Sequence, residues 1–243
     1  FGFVVPDDKK FLTDIFISKK KCKEAKQNDK VIVKILKYPE GGKNAEGEIV
    51  EILGNIDQAG VDMLSIIKEY GLPNVFPEDV LNEVKNIEQK VDEFEYTRRR
   101  NLTDKICFTI DGEDAKDLDD AVSVEKLENG NYILNVHIAD VSHYVKEDSV
   151  IDREAILRGT SVYMFDRVIP MLPVELSNGI CSLNAGEDRL ALSCTMEIDL
   201  KGNVVSSDVY KSIIKVTKRM SYTNVNKIIN KLDEDVLKEY EEY

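Results

Sequence analysis

The chain has 243 residues, of which 42% are hydrophobic and 33% are charged, with 13 Gly and 6 Pro. This composition is typical of a globular protein and excludes fibrous and low-complexity classes. No apolar run reaches the roughly 18 residues needed to cross a bilayer, and the N-terminal residues lack the basic-then-apolar order of a signal peptide. We therefore expect a cytoplasmic protein with no membrane association.

The four cysteines, Cys22, Cys107, Cys181 and Cys194, are widely scattered along the chain. They form no C-x-x-C pair, and neither histidine is placed to complete a zinc site. We expect four reduced thiols, as is usual in a reducing compartment.

The net charge of −13 argues at first against a nucleic-acid ligand, because affinity for RNA rests largely on Lys and Arg. The charge is unevenly distributed. Residues 1–54 hold 11 Lys and 9 acidic residues, so they carry +2 and the rest of the chain carries −15. Bound metal ions can bridge an acidic surface and a polyanion, so net charge alone does not decide the partner.

Residues 1–55 contain four short β-rich runs separated by polar turns, namely FGFVV, DIFIS, KVIVKIL and GEIVEIL. Short strands at this spacing predict a small β-barrel. Because the chain opens directly on a strand-like run, we expect this first domain to be clipped at its N-terminus.

Residues 56–100 change to helical periodicity, with Gly71 and Pro73 as stop signals and a second helix that restarts near Pro77. We interpret this segment as a helical connector. The highly charged run at 93–104 is typical of a solvated joint.

From residue 101 to 243 strands and helices alternate, so the whole chain is predicted to be α+β. Asn129-Gly130 between two apolar alternations predicts a hairpin, and LALSCTMEIDL with VVSSDVYKSIIKV predicts another. A helix is expected at 152–158 before Gly159, and Ser221 is the expected cap of a later one. We expect the chain to end inside this second domain.

Six acidic residues and one Lys occupy the ten residues DGEDAKDLDD at 111–120. Like charges this close repel by about 1 kcal/mol per pair at 4 Å even in water. If 117–124 is extended, Asp117 and Asp119 point to one face and Asp120 to the other, so a cation could be held together with Asp111. Oxygen-only ligation favours Mg²⁺ or Mn²⁺ over Zn²⁺.

Two other interpretations of this run are an acidic surface turn and an EF-hand calcium loop. The EF-hand fails because its sixth and twelfth positions would be Lys116 and Val122 instead of Gly and Glu. The embedding of the acids between the apolar runs CFTI and AVSV argues against a free surface turn. Clustered carboxylates with Mg²⁺ suit phosphodiester hydrolysis, so the residues predict a metal-dependent phosphoryl-transfer site.

The run TIDGEDAKDLDDAV at 109–122 resembles the catalytic signature of the ribonuclease II and ribonuclease R family, whose catalytic unit is called the RNB domain. HIADVSHYV (137–145), RGTSVYMFDRVIPMLP (158–173) and ICSLNAGEDRLALSCTMEID (180–199) follow in the family's order. FGFVV with DIFIS resembles the RNA-binding strands of a cold-shock domain, an OB-fold barrel. The resemblance covers essentially the whole chain and is greatest to the ribonuclease R branch.

The resemblance implies an OB-fold cold-shock-like domain at 1–55, a helical connector at 56–100 and, at 101–243, the N-terminal portion of an RNB-type α/β catalytic domain. It implies a processive 3′-to-5′ exoribonuclease that hydrolyses single-stranded RNA to 5′-mononucleotides with Mg²⁺, or Mn²⁺, and that is a monomer. The implied metal ligands, or holders of metal-bound water, are Asp111, Asp117 and Asp120. Asp119 is implied as the residue most directly tied to catalysis, with Asp117 beside it. The implied RNA-binding aromatic residues are Tyr163, Tyr222, Phe1, Phe3 and Phe16.

Several of these residues have an ordinary structural interpretation as well. Tyr163 is typical of a core aromatic residue without the family match, and Phe1, Phe3 and Phe16 could equally be barrel core. We expect His137 and His143 to be structural hydrogen-bonding residues rather than catalysts. Two other functions stay open, an RNA-binding module that lacks catalytic competence and an acidic protein-interaction domain that is indifferent to Mg²⁺.

Overall fold

A computed structural model of the chain describes residues 1–241. The chain folds into two compact units. The first comprises residues 1–74 with 163–169, and the second comprises residues 75–162 with the chain from Pro170 onward. Each unit is described by itself.

The elements of the described residues are numbered in chain order. The strands are β1 (Gly2–Val4), β2 (Ile15–Ile17), β3 (Asp29–Lys37), β4 (Glu46–Asn55), β5 (Arg100–Leu102), β6 (Phe108–Asp111), β7 (Asp120–Lys126), β8 (Tyr132–Ala139), β9 (Val162–Tyr163), β10 (Val168–Ile169), β11 (Asp188–Ile198), β12 (Val204–Lys215) and β13 (Lys218–Ser221). The α-helices are α1 (Val61–Glu69), α2 (Glu78–Val84), α3 (Val141–Tyr144), α4 (Val150–Arg158), α5 (Tyr222–Asn230) and α6 (Glu234–Glu239). Short 3₁₀ turns lie at Lys19–Lys21 and Glu93–Thr97, and a π-helical turn lies at Glu175–Ile180.

The first unit is built on a four-stranded sheet in the order β1-β2-β4-β3, which confirms the four predicted strands. Its core contains Ile15, Ile17, Ala45 and Ile49. At Gly47 on β4 a side chain is excluded, because a Cβ atom there would lie 2.5 Å from Val33 Cγ1. This close approach lets β3 and β4 pack against the core.

The predicted closed barrel is not formed, and the expectation is corrected to an open OB-type sheet. Within residues 1–241, β1 and β3 are the two edges of this sheet and do not pair with each other. A barrel requires its edge strands to share a hydrogen-bonded ladder. With only three residues, β1 pairs along its whole length with β2 alone.

The second unit is built on a seven-stranded mixed sheet in the order β13-β6-β7-β8-β11-β12-β5. Both predicted hairpins are confirmed. Gly130, with φ +89°, turns β7 into β8, and Gly202, with φ +85°, turns β11 into β12. The outer strands β5 and β13 join the sheet in parallel register with β12 and β6.

The predicted helix ends are also confirmed in the second unit. Helix α4 ends at Gly159 in the left-handed conformation, and the Ser221 hydroxyl accepts a hydrogen bond from Asn224 N at the start of α5.

One hydrophobic core joins Cys107, Leu118, Ala121, Leu183 and Ile214 around the sheet. Another joins α2, α4 and the π-helical turn through buried side chains such as Val80, Ile151 and Leu176. No helix in the described part of the chain is long and apolar enough to span a membrane.

Candidate active site

The acidic run lies where two neighbouring strands of the second unit meet a loop. Strand β6 ends at Asp111 and β7 begins at Asp120, and Phe108 lies opposite Val122 between them. Asp117 and Asp119 belong to the connecting loop, so the expected extended strand begins three residues later than predicted. The two strands therefore bring both ends of the acidic run to one edge of the sheet.

Asp111 experiences the negative charge of the other acids directly. Burial raises the pKa of Asp111, the charges of Asp120 and Asp117 raise it further, and Arg219 opposes them. Its Oδ2 atom is buried and has no hydrogen-bond partner in the protein. An unpaired buried carboxylate oxygen is costly, and a nearby cation would offset that cost.

Asp119 has the same electrostatic environment although the residue as a whole is exposed. Partial removal of water raises the pKa of its carboxyl group, and Asp117, Asp120 and Asp111 raise it further. The structure thus brings the four aspartates of the prediction close enough to influence one another. Their assignment as metal ligands and catalytic residue stays a prediction.

A serine 64 residues beyond Leu118 in the sequence holds the loop, and sequence reasoning gave it no role. Ser182 Oγ accepts a hydrogen bond from Leu118 N at 3.0 Å and donates one to the Lys116 carbonyl at 2.9 Å. Ser182 belongs to the run ICSLNAGEDRLA, which shows no recognisable chemistry by itself. Only the fold brings its hydroxyl to the acidic loop.

An arginine on β13 holds the other end of the loop, and sequence reasoning missed it too. Arg219 Nη2 donates to the carbonyl oxygens of Gly112 and Glu113 at 3.1 and 2.7 Å. The parallel pairing of β13 with β6 places it there. It also brings a positive charge to the acidic run.

The donor chemistry of the loop fits Mg²⁺ or Mn²⁺ and disfavours Zn²⁺, because the grouped side chains offer oxygen atoms alone. Across residues 1–241, no three His, Cys, Asp or Glu side chains form a ready-made metal-binding group. Mg²⁺ does not require one, because it commonly uses one or two carboxylates together with water and substrate phosphate. A cation would pair with the unpartnered Asp111 Oδ2 and would reduce the repulsion among the four aspartates.

Tyr222 lies beside this site. It follows Ser221, which is opposite Asp111 in the register of β13 and β6, and 63% of its surface is exposed. It is therefore available to a ligand that reaches the carboxylates.

Phe1, Phe3 and Phe16 lie together on the sheet of the first unit. Phe3 is opposite Phe16 across β1 and β2, and the three ring centroids are 5.7 to 6.1 Å apart. Phe1 and Phe3 are 80% and 54% exposed. We call these three side chains the aromatic platform; Phe3 packs edge-on against both other rings, Phe1 and Phe3 are exposed, and Phe16 is half-buried.

Tyr163 lies in the part of the chain assigned to the first unit, at the end of β9, and is 65% exposed. That exposure removes the interpretation of Tyr163 as a core residue in this structure.

The two histidines have structural contacts. His137 is buried, with Nδ1 2.6 Å from Ser193 Oγ, and His143 Nδ1 lies 3.3 Å from Arg99 Nη2.

The RNB domain model matches residues 99–242, and the cold shock domain model matches residues 3–77. Ribonuclease R of Thermotoga maritima is 54% identical over the whole chain, which covers 34% of that protein. The solved RNase R of Mycoplasma genitalium in complex with double-stranded RNA is 29% identical, with a TM-score of 0.85; the match covers 97% of this chain and 44% of that one.

A yeast pseudonuclease of known structure is 22% identical with a TM-score of 0.67, over 94% of this chain and 30% of that one. At that identity the likeness concerns the fold alone. The chain spans about a third of the length of the curated relatives it matches. Because the RNB domain model matches more than half of its residues, the chain belongs to the RNB domain family.

Proposed function

We propose that this chain carries the carboxylate site and RNA-binding surfaces of an exoribonuclease that degrades RNA. The enzyme is processive, acts from 3′ to 5′ and releases 5′-mononucleotides with Mg²⁺, or Mn²⁺, as cofactor. The observation that carries the proposal is the buried, unpartnered Oδ2 of Asp111 among mutually repelling aspartates. The ribonuclease R relatives support RNA as the substrate.

In this proposal Asp111, Asp117 and Asp120 hold the cation, directly or through water, and Asp119 acts on the reacting groups. When bound, the cation supplies positive charge to the scissile phosphate and favours attack by water. Water adds to phosphorus, the bond to the 3′ oxygen of the preceding nucleotide breaks, and that oxygen takes a proton. Partial burial and the neighbouring aspartates raise the pKa of Asp119, which favours a carboxyl group that takes up or releases a proton during the reaction.

The exposed rings supply affinity without sequence preference. In this proposal Tyr222 stacks on a base beside the carboxylate site, and Tyr163 and the aromatic platform each stack on bases of the RNA. Every base has a π-face, and each stack contributes about 1–3 kcal/mol. This sequence tolerance suits an enzyme that must proceed through any RNA.

The activity test uses the full-length gene product, because this chain spans about a third of its relatives. Single-stranded RNA labelled at either end is incubated with and without Mg²⁺. We expect 5′-mononucleotides from the 3′ end, loss of activity in Asp119→Asn and retained activity in Asp114→Asn. Release of label from the 5′ end first, or Mg²⁺-independent release, would refute the proposed polarity or cofactor.

A second candidate function is an RNA-binding module without catalysis. The exposed aromatic platform supports it, since that surface needs no carboxylate chemistry. A salt-titrated binding assay on the 243-residue chain, with a single-stranded oligonucleotide, compares the two. This alternative is favoured if the 243-residue chain binds RNA and the full-length protein has no ribonuclease activity. It is excluded if the chain does not bind RNA.

We further propose that the protein acts in the cytoplasm as a monomer. The four cysteines are all free thiols, which supports a reducing compartment. Light scattering at several concentrations tests the oligomeric state, and a mass near 27.6 kDa for this chain is expected.

A further inference from the structure

We propose that Ser182 is a positioning residue for the carboxylate site. Its hydroxyl fixes the backbone on both sides of Asp117 and so sets the direction of the acidic side chains toward a cation. The inference rests on the proposed function and deepens it. It concerns a residue that contacts neither cation nor RNA and acts through the loop.

The hydrogen-bonding capacity of Ser182 is directed to the loop. A serine hydroxyl donates one hydrogen bond and can accept others. Here it donates to the Lys116 carbonyl and accepts from Leu118 N, the two backbone groups that flank Asp117. The Asn184 side-chain oxygen is farther away, at 3.4 Å. Because Ser182 is 0% exposed, water cannot replace these bonds without rearrangement.

The next backbone groups are held by the scaffold as well. The Leu118 carbonyl accepts from Leu183 N at 2.8 Å, and the Asp119 carbonyl accepts from Ala139 N at 2.9 Å. The Leu118 side chain is buried in the core of the second unit. Leu118 is buried, whereas Asp117 beside it is half-buried and Asp119 is exposed. The backbone that Ser182 holds therefore lies directly next to these two carboxylates.

Ser182 is itself held by a buried arginine. Arg189 Nε donates to the Ser182 carbonyl at 2.8 Å, and its Nη2 donates to the Gly179 carbonyl at 3.3 Å. Ser182 N also donates to the Gly179 carbonyl at 3.0 Å. The hydroxyl therefore projects from a fixed backbone, as a positioning group requires.

The rival explanation is that Ser182 only stabilises the fold, and Ser193 provides the matched control. Ser193 is also a fully buried serine of the second unit. Its hydroxyl contacts His137 Nδ1 at 2.6 Å and Ser212 Oγ at 2.5 Å, and neither of these partners belongs to the acidic loop. Loss of either hydroxyl leaves buried polar groups unpaired, so both alanine variants should be less stable.

The experiment measures Mn²⁺ affinity of the 243-residue chain by electron paramagnetic resonance, with Mg²⁺ as competitor. We expect Ser182→Ala to weaken Mn²⁺ binding by about 10- to 100-fold, the usual effect of losing a group that orients metal ligands. Ser193→Ala should bind Mn²⁺ with an affinity within about twofold of wild type, although its Tm should fall as much as that of Ser182→Ala. The thiol of Ser182→Cys is a weaker donor and acceptor, so the Mn²⁺ affinity of this variant should lie between those of wild type and Ser182→Ala. If Ser182→Ala does not fold, Ser182→Cys provides the test of the positioning role.

The same substitutions in the full-length protein separate positioning from general damage. Ser182→Ala should lower kcat by a similar factor, leave KM for RNA nearly unchanged, and recover in part at high Mg²⁺. Wild-type Mn²⁺ affinity in folded Ser182→Ala, or an equal loss in Ser193→Ala, overturns the inference and leaves the proposed function standing. If wild-type full-length protein neither binds Mn²⁺ nor needs it, the proposed function fails, and this inference fails with it.

Discussion

Ser221 on β13 lies opposite Asp111 on β6 in the parallel register of these neighbouring strands. The next residue, Tyr222, begins α5 and is exposed. An aromatic ring and a carboxylate from distant parts of the chain thus share one edge of the sheet. A nucleotide whose phosphate reaches the carboxylates would bring its base near Tyr222.

Substitution of Tyr222 by Ala should therefore weaken the binding of single-stranded RNA. The lost stack predicts a decrease of about 5- to 150-fold in affinity. Tyr222→Phe keeps the π-face and should bind nearly as wild type. Fluorescence anisotropy with a labelled oligonucleotide measures this, and Tyr132→Ala, an exposed tyrosine at the far end of β8, is the control. Equal affinity in Tyr222→Ala and wild type would remove this residue from the RNA-binding surface.

Asp120→Asn removes a proposed metal ligand whose charge raises the pKa of Asp111 and Asp119, so it should have opposite effects on the metal-free and metal-bound protein. Without metal, removal of one repelled charge should raise Tm by roughly 1–3 °C. With Mg²⁺, the Tm increase of wild type should be absent, since a ligand that binds only the folded state stabilises by mass action.

Asp114→Asn is the control for this prediction. Asp114 lies in the same loop and is exposed, and its charge is not among the influences on Asp111 or Asp119. It should keep the Mg²⁺-dependent rise. Differential scanning fluorimetry with and without MgCl₂ gives both values, and an unchanged Mg²⁺ response in Asp120→Asn contradicts the metal assignment.

The aromatic platform gives a prediction that separates stacking from charge. Phe3→Leu keeps an apolar side chain on β1 but removes the ring, so RNA affinity should fall by about 5- to 150-fold. The slope of log affinity against log salt should stay constant, because it reports phosphate contacts with Lys and Arg. Phe11→Leu, an exposed phenylalanine outside the platform, should change neither quantity. A changed slope in Phe3→Leu would indicate that the substitution moves basic residues instead.

Buried His137 should make stability depend on pH. Burial lowers the pKa of His137 to about 4 from its ordinary 6.5. Between these values the unfolded chain binds the proton more readily than the folded chain. The contribution of His137 to the free energy of unfolding is therefore full above pH 6.5 and decreases as pH falls toward 4. The loss approaches about 3 kcal/mol.

The raised pKa values of Asp111 and Asp119 act in the opposite sense, since a carboxylate that resists ionisation stabilises the fold less as pH rises. The comparison of wild type with His137→Gln isolates the histidine. Urea unfolding at several pH values should show the two stabilities converging as pH falls from 7 to 4. A constant difference across that range would show that His137 does not titrate as its burial requires.

Local features of this fold were predictable because their causes are local. Asn129-Gly130 supplies a turn between strands of alternating hydrophobicity. The candidate site at residues 111–120 is visible in the sequence because its acidic residues are so densely clustered. Ser182 and Arg219 were not predictable as loop-holding residues. Their roles depend on which strands become neighbours, and the parallel pairing of β13 with β6 joins segments more than 100 residues apart. Closure of the first sheet failed as a prediction for the same reason, because strand spacing does not reveal which edges pair.

A buried ionic cluster near the site supplies the last prediction. Arg99 Nε lies 2.5 Å from Glu95 Oε2, and Arg99 Nη1 lies 2.7 Å from Asp140 Oδ2. The latter pair lacks the alignment of a hydrogen bond, so its attraction is chiefly electrostatic. Burial would raise the pKa of Asp140, but Arg99 and Ser142 hold it below its ordinary value.

Arg99→Met should cost about 3–5 kcal/mol, because it removes the buried guanidinium group that both carboxylates share. Arg100→Met is the matched control, since its ion pair with Asp208 is exposed and contributes little. Without Arg99 the pKa values of Glu95 and Asp140 should rise, so the penalty should shrink as pH falls toward 4 and these groups become neutral. Urea denaturation at pH 7 and pH 4.5 measures the difference. Equal penalties at both pH values would show that lost packing of the Arg99 side chain, rather than uncompensated charge, causes the destabilisation.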